Sequence, residues 1–324
     1  MQRLRFVDVR GDRPQEVLCE TVFDGLSAQP KRLPPRLFYD NHGSAIFEAI
    51  TDLPEYYPTR TEQAILTDHA DEIVTAVGGQ ITLIEFGSGS SRKTRVLIEA
   101  ALARQETLEY VPIDISRNFL KESSEALLKE YPALTITALA GEYFAAADAL
   151  PPADGPRLIL FLGSNIGNLT HDEATDFLTR IRRSMKYQDR LLIGTDMVKD
   201  RSILEAAYND AQGVTADFNC NVLERVNREL GGHFDLRQFR HHAPYDDAHQ
   251  RIEMRLVSQV DQHVRVDDLD TEFGFHAGET IVTEWSQKYT RESFSALASS
   301  AGLEIVSAWT DERAWFTEYL LCPT

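Results

Sequence analysis

Residues 81–93 read Ile-Thr-Leu-Ile-Glu-Phe-Gly-Ser-Gly-Ser-Ser-Arg-Lys. The run from Ile81 to Phe86 is short, apolar and rich in β-branched residues, which predicts a buried strand. Gly87 and Gly89 follow where that strand ends, and Lys93 to Ala103 has the pattern of a helix. A strand, a glycine turn and a helix in this order are typical of sheets that bind ligands at the carboxyl ends of their strands.

Strands and helices continue to alternate along the chain. Because such alternation builds a parallel sheet with helices on both faces, we predict an α/β fold with a Rossmann-like sheet. The predicted strands are Tyr110–Ile115, Leu134–Ala140, Leu158–Leu162, Asp189–Gly194, Leu303–Trp309 and Trp315–Cys322, and the predicted helices are Ser116–Tyr131, His171–Met185 and Thr290–Ala301.

Two regions lack this rhythm and indicate a second domain. The N-terminal region holds a proline-rich stretch, Pro30–Pro35, and an aromatic-rich stretch, Phe38–Tyr57. The other region begins with a helical section, Ser202–Leu230, and continues with extended segments. We therefore expect a discontinuous α+β domain beside the sheet domain. The expected bounds are 61–200 plus 287–324 for the sheet domain and 1–60 plus 201–286 for the second domain.

Composition excludes several classes of protein and partner. The chain has 324 residues, of which 43% are hydrophobic, too many for a disordered protein. It carries 33 Lys and Arg against 51 Asp and Glu, a net charge of −18, so we expect neither nucleic acids nor anionic membranes as partners. No apolar run approaches the roughly 18 residues of a membrane span. No signal-peptide pattern follows the charged Met1–Arg5, and three scattered cysteines suit a reducing compartment, so we expect a cytoplasmic protein.

The residues around the glycine loop discriminate between possible ligands. A dinucleotide fingerprint needs a third glycine, whereas here Ser90-Ser91-Arg92-Lys93 follows. Glu85 lies two residues before the first glycine, where its carboxylate would repel a pyrophosphate but not a cationic sulfonium. The pattern therefore favours S-adenosylmethionine (SAM) over NAD. A tight turn that binds no ligand is the alternative.

Two further acids stand where predicted strands end. Asp114 closes the second strand, where a carboxylate can accept hydrogen bonds from both ribose hydroxyls. Glu142 follows the third strand and could face the adenine amino group. A single acid at a strand end is more often a helix cap or a solvated residue. Acids at three successive strand ends indicate a cofactor site.

Several strings elsewhere in the chain are specific enough to compare with known families. They are Phe38-Tyr39-Asp40, residues 53–62 (LPEYYPTRTE), 161–164 (FLGS), 166–170 (IGNLT), 194–200 (GTDMVKD), Phe218-Asn219, 251–254 (RIEM) and 283–286 (TEWS). With the glycine loop, they resemble the L-histidine Nα-methyltransferases of ergothioneine biosynthesis. The resemblance implies a class I SAM methyltransferase sheet with a substrate-binding second domain. It also implies a monomeric enzyme that trimethylates the α-amine of L-histidine to hercynine, using three SAM molecules.

The same resemblance implies which residues bind the two reactants. On the substrate side, Tyr56, Asn168 and Tyr208 would hold the carboxylate, Glu284 and Ser286 the imidazole nitrogens, Met254 would line the side-chain pocket, and Tyr39 and Phe47 would surround the amine. On the cofactor side the matching residues are Gly87, Lys93, Asp114, Glu142 and Gly163. Trp285 stands where a small apolar residue is common in the family.

The chemistry of methyl transfer suits these residue types. The reaction is an in-line displacement, so catalysis comes mostly from positioning the reactants. The ammonium must lose a proton before transfer, and Tyr39 could relay it directly or through water. Aromatic faces stabilise the growing methylammonium cation. Glu284 and Ser286 are two residues apart, so on a strand both side chains face the same way.

Other readings of the sequence stay open. A related N-methyltransferase could act on another amino acid or on an aromatic amine such as a tryptophan derivative. A non-catalytic module could bind SAM for regulation. Metal binding is not expected, because His233, His241, His242 and His249 lie in polar surroundings without a further ligand at useful spacing.

Overall fold

The computed structural model describes residues 3–9 and 14–324, and its contacts divide them into two compact units. The first unit contains the described part of 1–10 together with 58–198 and 288–324, and the second contains the described part of 11–57 together with 199–287. Residues 1–2 and 10–13, which the sequence interpretation placed in the second domain, lie outside the described residues. None of the described helices has the length and apolarity needed to cross a membrane.

The strands and helices are numbered in chain order. The strands are β1 (Leu4–Asp8), β2 (Lys31–Arg32), β3 (Thr82–Phe86), β4 (Leu108–Asp114), β5 (Leu134–Ala140), β6 (Arg157–Phe161), β7 (Arg190–Asp196), β8 (Phe239–His242), β9 (Tyr245–Asp246), β10 (Arg251–Ser258), β11 (Gln262–Val266), β12 (Thr271–Phe275), β13 (Thr280–Gln287), β14 (Leu303–Thr310) and β15 (Phe316–Pro323). The helices are α1 (Pro14–Ser27), α2 (Asn41–Thr51), α3 (Tyr57–Val77), α4 (Arg95–Leu102), α5 (Arg117–Glu130), α6 (Tyr143–Asp148), α7 (His171–Ser184), α8 (Arg201–Tyr208), α9 (Val214–Leu230) and α10 (Arg291–Ser300).

The first unit is built on an eight-stranded sheet in the order β1-β5-β4-β3-β6-β7-β15-β14. The first six strands in this order pair in parallel, whereas β15 pairs antiparallel with both β7 and β14. The predicted α/β fold with a mostly parallel sheet is therefore confirmed. From β3 the sheet continues to β4 and β5 on one side and to β6 and β7 on the other. Doubly wound sheets bind ligands at such a reversal of the strand order, which lies here between β3 and β6.

The central strands are apolar because both faces of the sheet are covered. Every residue of β3 and of β6 is buried. Alternate residues of these strands enter two separate cores: Ile84 and Phe161 lie in one, Leu83 and Leu160 in the other. Strands buried on both faces read as continuous apolar runs, which is why the sequence pattern locates them well.

The first strand corrects the expected domain boundary. Residues Leu4–Asp8 form β1, which pairs in parallel with β5 from Leu4↔Ile136 to Asp8↔Ala140. The expectation that all of 1–60 belongs to the second domain is therefore wrong for this strand. It lies at the edge of the large sheet, and an edge strand covered on fewer sides needs less apolar sequence than β3 or β6.

In its described residues, the second unit combines four α-helices with a small, mostly antiparallel sheet, in which β2 pairs in parallel with β13. Its five-stranded sheet has the order β2-β13-β10-β8, with β9 also paired to β10, and β11 and β12 form a separate ribbon. The predicted helical section Ser202–Leu230 is two helices, α8 and α9, separated by residues 209–213. Asp210 stabilises the start of α9, because its carboxylate accepts hydrogen bonds from the backbone N–H groups of Val214 and Thr215 at 3.0 and 2.8 Å.

Candidate active site

The glycine loop after β3 brings its backbone close to two polar side chains. Gly87 and Gly89 have φ angles of +71° and +50°, in the left-handed region that favours glycine. A Cβ atom at Gly87 would lie 2.8 Å from Tyr143 Oη and 2.9 Å from Asn165 Nδ2. The absence of a side chain at Gly87 therefore lets the loops after β3, β5 and β6 converge.

The carboxylate of Glu85, just before this loop, forms hydrogen bonds within the protein. The sequence predicts that its carboxylate faces a cationic ligand, but one oxygen accepts a hydrogen bond from Thr94 Oγ1 at 2.6 Å and the other accepts one from Tyr110 Oη. Burial raises the pKa of Glu85 to about 7, even though both hydrogen bonds lower it. Glu85 thus links the end of β3 to the start of α4 and to β4.

Asp114 organises the same region from the end of β4. Its Oδ2 accepts a hydrogen bond from the Gly89 N–H at 2.9 Å, and its Oδ1 accepts one from the Ser116 N–H at 2.8 Å. Burial raises the pKa of Asp114, against the effect of these backbone hydrogen bonds. Each carboxylate oxygen retains a second lone pair, so Asp114 can still accept hydrogen bonds from a ligand.

The loops after β5 and β6 place the other predicted cofactor residues. Glu142 is the residue before α6, and its side chain is exposed. Gly163 lies in the loop after β6 and has a φ angle of +76°. A Cβ atom at Gly163 would lie 3.2 Å from Lys93 Nζ. The next residue, Ser164, is held at φ +55°, and its hydroxyl accepts a hydrogen bond from the Asp196 N–H at 2.9 Å. A non-glycine residue in this conformation is strained, as is common at functional sites.

An aromatic cluster lies in the second unit. Its ring centroids are 5.8 Å apart for Tyr39 and Phe47, 6.3 Å for Phe47 and Tyr56, and 6.2 Å for Tyr56 and Tyr208, all edge to face. Phe218 packs 5.8 Å from both Tyr39 and Phe47. The structure thus brings together four of the predicted substrate residues.

Strand β13 supplies the polar side of this cluster. The Ser286 hydroxyl is 2.7 Å from that of Tyr208, and either can be the donor. Across the strand pair, Met254 stands directly opposite Glu284, so the two side chains share a face of the sheet. Glu284, Ser286 and Met254 are buried, at 8%, 3% and 2% exposure. Ser286 therefore contacts the aromatic cluster through Tyr208, and Glu284 lies two residues earlier in the same strand.

Comparison with known proteins identifies the family. The model of the family described as histidine-specific, SAM-dependent methyltransferases matches residues 18–323 of the chain. The chain belongs to this family. It is 45% identical over 305 residues to the histidine N-alpha-methyltransferase of Mycolicibacterium smegmatis, with 94% of each chain covered. It is 44% identical over 299 residues to the protein of the same name from Mycobacterium tuberculosis, with 92% of each covered.

A third relative links the family to a pathway. Ergothioneine biosynthesis protein 1 of Neurospora crassa is 33% identical over 298 residues, a match covering 87% of this chain and 32% of that protein. The family resemblance noted in the sequence is thereby confirmed. The methyltransferase depends on SAM, and the side chains present suit that molecule. The first unit holds the cationic side chain of Lys93, the carboxylate of Asp114, and glycines at positions 87 and 163.

Trp285 lies on the other face of β13 from Glu284 and Ser286. Its ring is stacked between two guanidinium groups, with Arg32 Cζ at 3.9 Å and Arg251 Cζ at 4.1 Å from the ring centroid. Its cross-strand partner is Glu253, whose carboxylate accepts hydrogen bonds from Arg251 and Arg255. The large side chain at this position of the methyltransferase is therefore accommodated without entering the face that carries Glu284.

Sequence reasoning missed a hydrogen-bond network behind the cluster. Asn219 accepts from Thr283 Oγ1 at 2.6 Å, and its amide donates to His241 Nδ1 at 2.8 Å. The ring's Nε2 then donates to the Tyr208 carbonyl at 2.8 Å. Burial lowers the pKa of His241, consistent with a neutral ring in this arrangement. The only sequence signal was the Phe218-Asn219 string that matches the family.

The remaining predicted residues have these positions. Asn168 ends the short 3-10 helix Asn165–Asn168 after β6 in the first unit, and its grouping with Tyr56 and Tyr208 stays a prediction. His233 pairs with Asp267 and His249 with Asp246, at 2.9 and 2.6 Å. Within residues 3–9 and 14–324, no group of three or more His, Cys, Asp and Glu side chains is arranged to hold a metal ion.

Proposed function

We propose that this methyltransferase transfers three methyl groups from SAM to the α-amino nitrogen of L-histidine and forms hercynine, the first step of ergothioneine biosynthesis. The observation that carries the proposal is the buried set Glu284, Ser286 and Tyr208 beside an aromatic cluster. This set offers a carboxylate and two hydroxyls to a small polar ligand. A substrate that carries hydrogen-bonding groups of its own suits such a buried polar set better than an apolar substrate does.

The imidazole ring is the part of the substrate that Glu284 and Ser286 would recognise. Glu284 accepts a hydrogen bond from one ring nitrogen, and the Ser286 hydroxyl bonds the other. Because either hydroxyl of the Tyr208–Ser286 pair can donate, Ser286 can serve as donor or acceptor to the ring. Met254, opposite Glu284, packs against the ring plane. An apolar substrate side chain would offer Glu284 no hydrogen-bond donor, which disfavours such substrates.

The substrate carboxylate would be held by hydroxyl and amide donors. Tyr56 and Tyr208 lie edge to face with ring centroids 6.2 Å apart, so the two rings belong to one cluster. Asn168 would add an amide N–H. Neutral donors fix the carboxylate without placing a cation close to the quaternary ammonium that the third transfer creates. His241 supports this arrangement by holding the Tyr208 carbonyl.

The amine would lie against the rings of Tyr39 and Phe47. Aromatic faces attract the methylated ammonium by about 0.5–2 kcal/mol, a stabilisation that needs no hydrogen-bond donor and so persists when the nitrogen is fully methylated. Tyr39 is the one member of this pair with a hydroxyl. We assign it the role of relaying the amine proton, directly or through water, before each transfer.

Side chains of the first unit would bind the methyl donor. When bound, SAM supplies an electrophilic methyl group on a sulfonium. Lys93 would pair with its amino-acid carboxylate, Asp114 would accept from the ribose hydroxyls, and Glu142 would reach the adenine amino group. Gly87 and Gly163 let the backbone approach closely. Positioning of the two reactants then supplies most of the rate enhancement.

Solution properties of the chain complete the proposal. The net charge of −18 supports the absence of nucleic-acid and anionic membrane partners. We propose that the enzyme works in the cytoplasm as a monomer and needs no metal. Sedimentation of the purified protein at about 37 kDa would support the monomer, and full activity after dialysis against EDTA would support metal independence.

The reaction itself is tested by incubating the protein with SAM and a panel of free amino acids. We expect a mass gain of about 42 Da, the sum of three added methylene units, on histidine alone. Transfer to tryptophan or its derivatives instead would favour the related N-methyltransferase. The absence of transfer to every amine, with SAM binding retained, would favour a non-catalytic SAM-binding module.

A further inference from the structure

A buried pair of carboxyl groups lies next to Lys93 in the first unit. Glu62 of α3 is 1% exposed, and Glu318 of β15 is fully buried. Glu62 forms an ion pair with Lys93 through Oε2 and accepts the Gly163 N–H through Oε1 at 2.5 Å. Glu62 therefore holds both the lysine and the glycine that follow two different strands of the sheet.

Glycine at position 194 makes room for this pair. A Cβ atom at Gly194 would lie 2.3 Å from Glu62 Oε1 and 2.9 Å from Glu318 Oε1. Gly194 and Glu318 are cross-strand partners in β7 and β15. The Oε1 atoms of both carboxyl groups therefore lie over Gly194, in the space that a side chain at this position would fill.

The two carboxyl groups differ in their partners. Glu62 has a cation and a backbone N–H, the partners of an ionised carboxylate, whereas both oxygens of Glu318 are buried without a hydrogen-bond donor among the described residues. Two ionised carboxylates beside a single lysine would repel each other in a region shielded from water. Burial and the charge of Glu62 raise the pKa of Glu318 well above its ordinary value. A proton on Glu318, donated to Glu62, resolves both the repulsion and the missing partner.

We propose that neutral Glu318 and ionised Glu62 form a positioning pair that fixes the Lys93 ammonium for the amino-acid carboxylate of SAM. The inference deepens the proposed function and rests on the role given there to Lys93. Lys93 has three N–H donors, and Glu62 takes one of them on its buried side. Its side chain is 21% exposed, so its remaining donors are available to a ligand. Glu62 and Glu318 touch no reacting atom and act through Lys93.

The proposal predicts different outcomes for the two glutamates. Glutamine matches a neutral glutamic acid in shape and can donate to Glu62, so Glu318→Gln should rescue the defect that Glu318→Met causes. Glutamine at position 62 would instead remove the charge that holds Lys93. We expect Glu62→Gln to weaken S-adenosylhomocysteine binding by about tenfold or more. Glu62→Asp, which keeps the charge, should recover part of that loss.

The test measures the Kd of each variant for two probes by calorimetry or competition. S-adenosylhomocysteine carries the amino-acid tail, whereas 5′-methylthioadenosine lacks it. We expect Glu62→Gln to weaken only the former. Equal losses for both probes would show a merely structural role and overturn the proposal, as would a larger loss in Glu318→Gln than in Glu62→Gln. If Glu62→Gln does not fold, the comparison of Glu318→Gln with Glu318→Met, and Glu62→Asp, decides the matter with the same probes.

These binding measurements separate the inference from the proposed function. A wild-type protein that binds S-adenosylhomocysteine but does not methylate histidine would refute the proposed reaction and leave the glutamate pair standing. If the wild-type protein trimethylates histidine, but variants of both glutamates show the same change in Kd for the two probes, the glutamate pair is refuted and the proposed reaction stands.

Discussion

The glycine loops of the first unit and the aromatic cluster of the second unit hold their functional groups in different ways. In the loops, Asp114 accepts a hydrogen bond from a backbone N–H group and Glu85 accepts one from a nearby hydroxyl. These carboxylates therefore fix the conformation of the backbone in the loops. In the cluster, rings pack edge to face and β13 adds individual polar groups. The loops are therefore sensitive to backbone change, whereas the cluster is sensitive to single side chains.

The largest effect is expected at Glu284. Replacing it with Ala removes the buried carboxylate that would accept from the imidazole, and we expect kcat/KM for histidine to fall on the order of 10²–10⁴-fold. The Kd for S-adenosylhomocysteine should stay within about threefold, because the cofactor groups lie in the other unit. Steady-state kinetics and calorimetry measure the two quantities.

The neighbouring residue provides the matched control for Glu284. Trp285 lies on the opposite face of the same strand, between Arg32 and Arg251. Trp285→Phe should therefore leave histidine kinetics nearly unchanged. Unchanged kinetics in Glu284→Ala, or an equal loss in Trp285→Phe, would contradict the assignment of one strand face to the substrate.

Substitutions in the glycine loop test the backbone half of the comparison. Gly87→Ala and Gly89→Ala each place a side chain at a positive φ, which costs about 1 kcal/mol. The Cβ of Gly87→Ala also meets Tyr143 and Asn165, whereas no atom lies within 4 Å of a Cβ at Gly89 among the described residues. We expect Gly87→Ala to raise the Kd for S-adenosylhomocysteine about tenfold more than Gly89→Ala does. Equal effects would show that strain alone, and not the converging loops, matters here.

The smallest expected effect concerns stability and pH. Burial lowers the pKa of His241 below its ordinary 6.5, so the unfolded chain binds the proton more tightly than the folded chain. The stability that neutral His241 contributes is present above pH 6.5 and is lost as the pH falls below that value. Urea unfolding at pH 7.5 and 5.5 should show a smaller loss in His241→Gln than in wild type.

The control for this pH effect is the adjacent residue. His242 is exposed and lies next to His241 on the same strand. His242→Gln should therefore keep the wild-type loss of stability between the two pH values. A loss in His241→Gln as large as in wild type would show that the ring is protonated in the folded chain.

Local patterns predicted the sheet and the cofactor loops well. The prediction for Leu134–Ala140 matches β5 to the residue, because apolar residues alternate with Thr135 and Thr137 at its start, in the two-residue period of a strand. Gly87 and Asp114 were found since their signals lie within a few residues of a strand end. The edge strand β1 has a mixed burial pattern and gave no comparable signal.

The substrate cluster could not be predicted from local patterns. Tyr39, Tyr208 and Ser286 are distant in sequence, and only the folded second unit places them together. Their selection depended on resemblance to a family. Asn219 and His241 were not selected, because a polar side chain that supports another residue has no spacing rule. Glu62 and Glu318 were missed for the same reason, since buried acids on a helix and a distant strand carry no shared motif.

The most direct test of the account is the position and number of methyl groups on the product. Histidine is incubated with SAM that carries a ¹³C-labelled methyl group, and the product is analysed by NMR and tandem mass spectrometry. The account predicts one trimethylammonium group on the α-nitrogen and three molecules of S-adenosylhomocysteine per product. Methyl groups on the imidazole ring, or a product that stops at one methyl group, would contradict it.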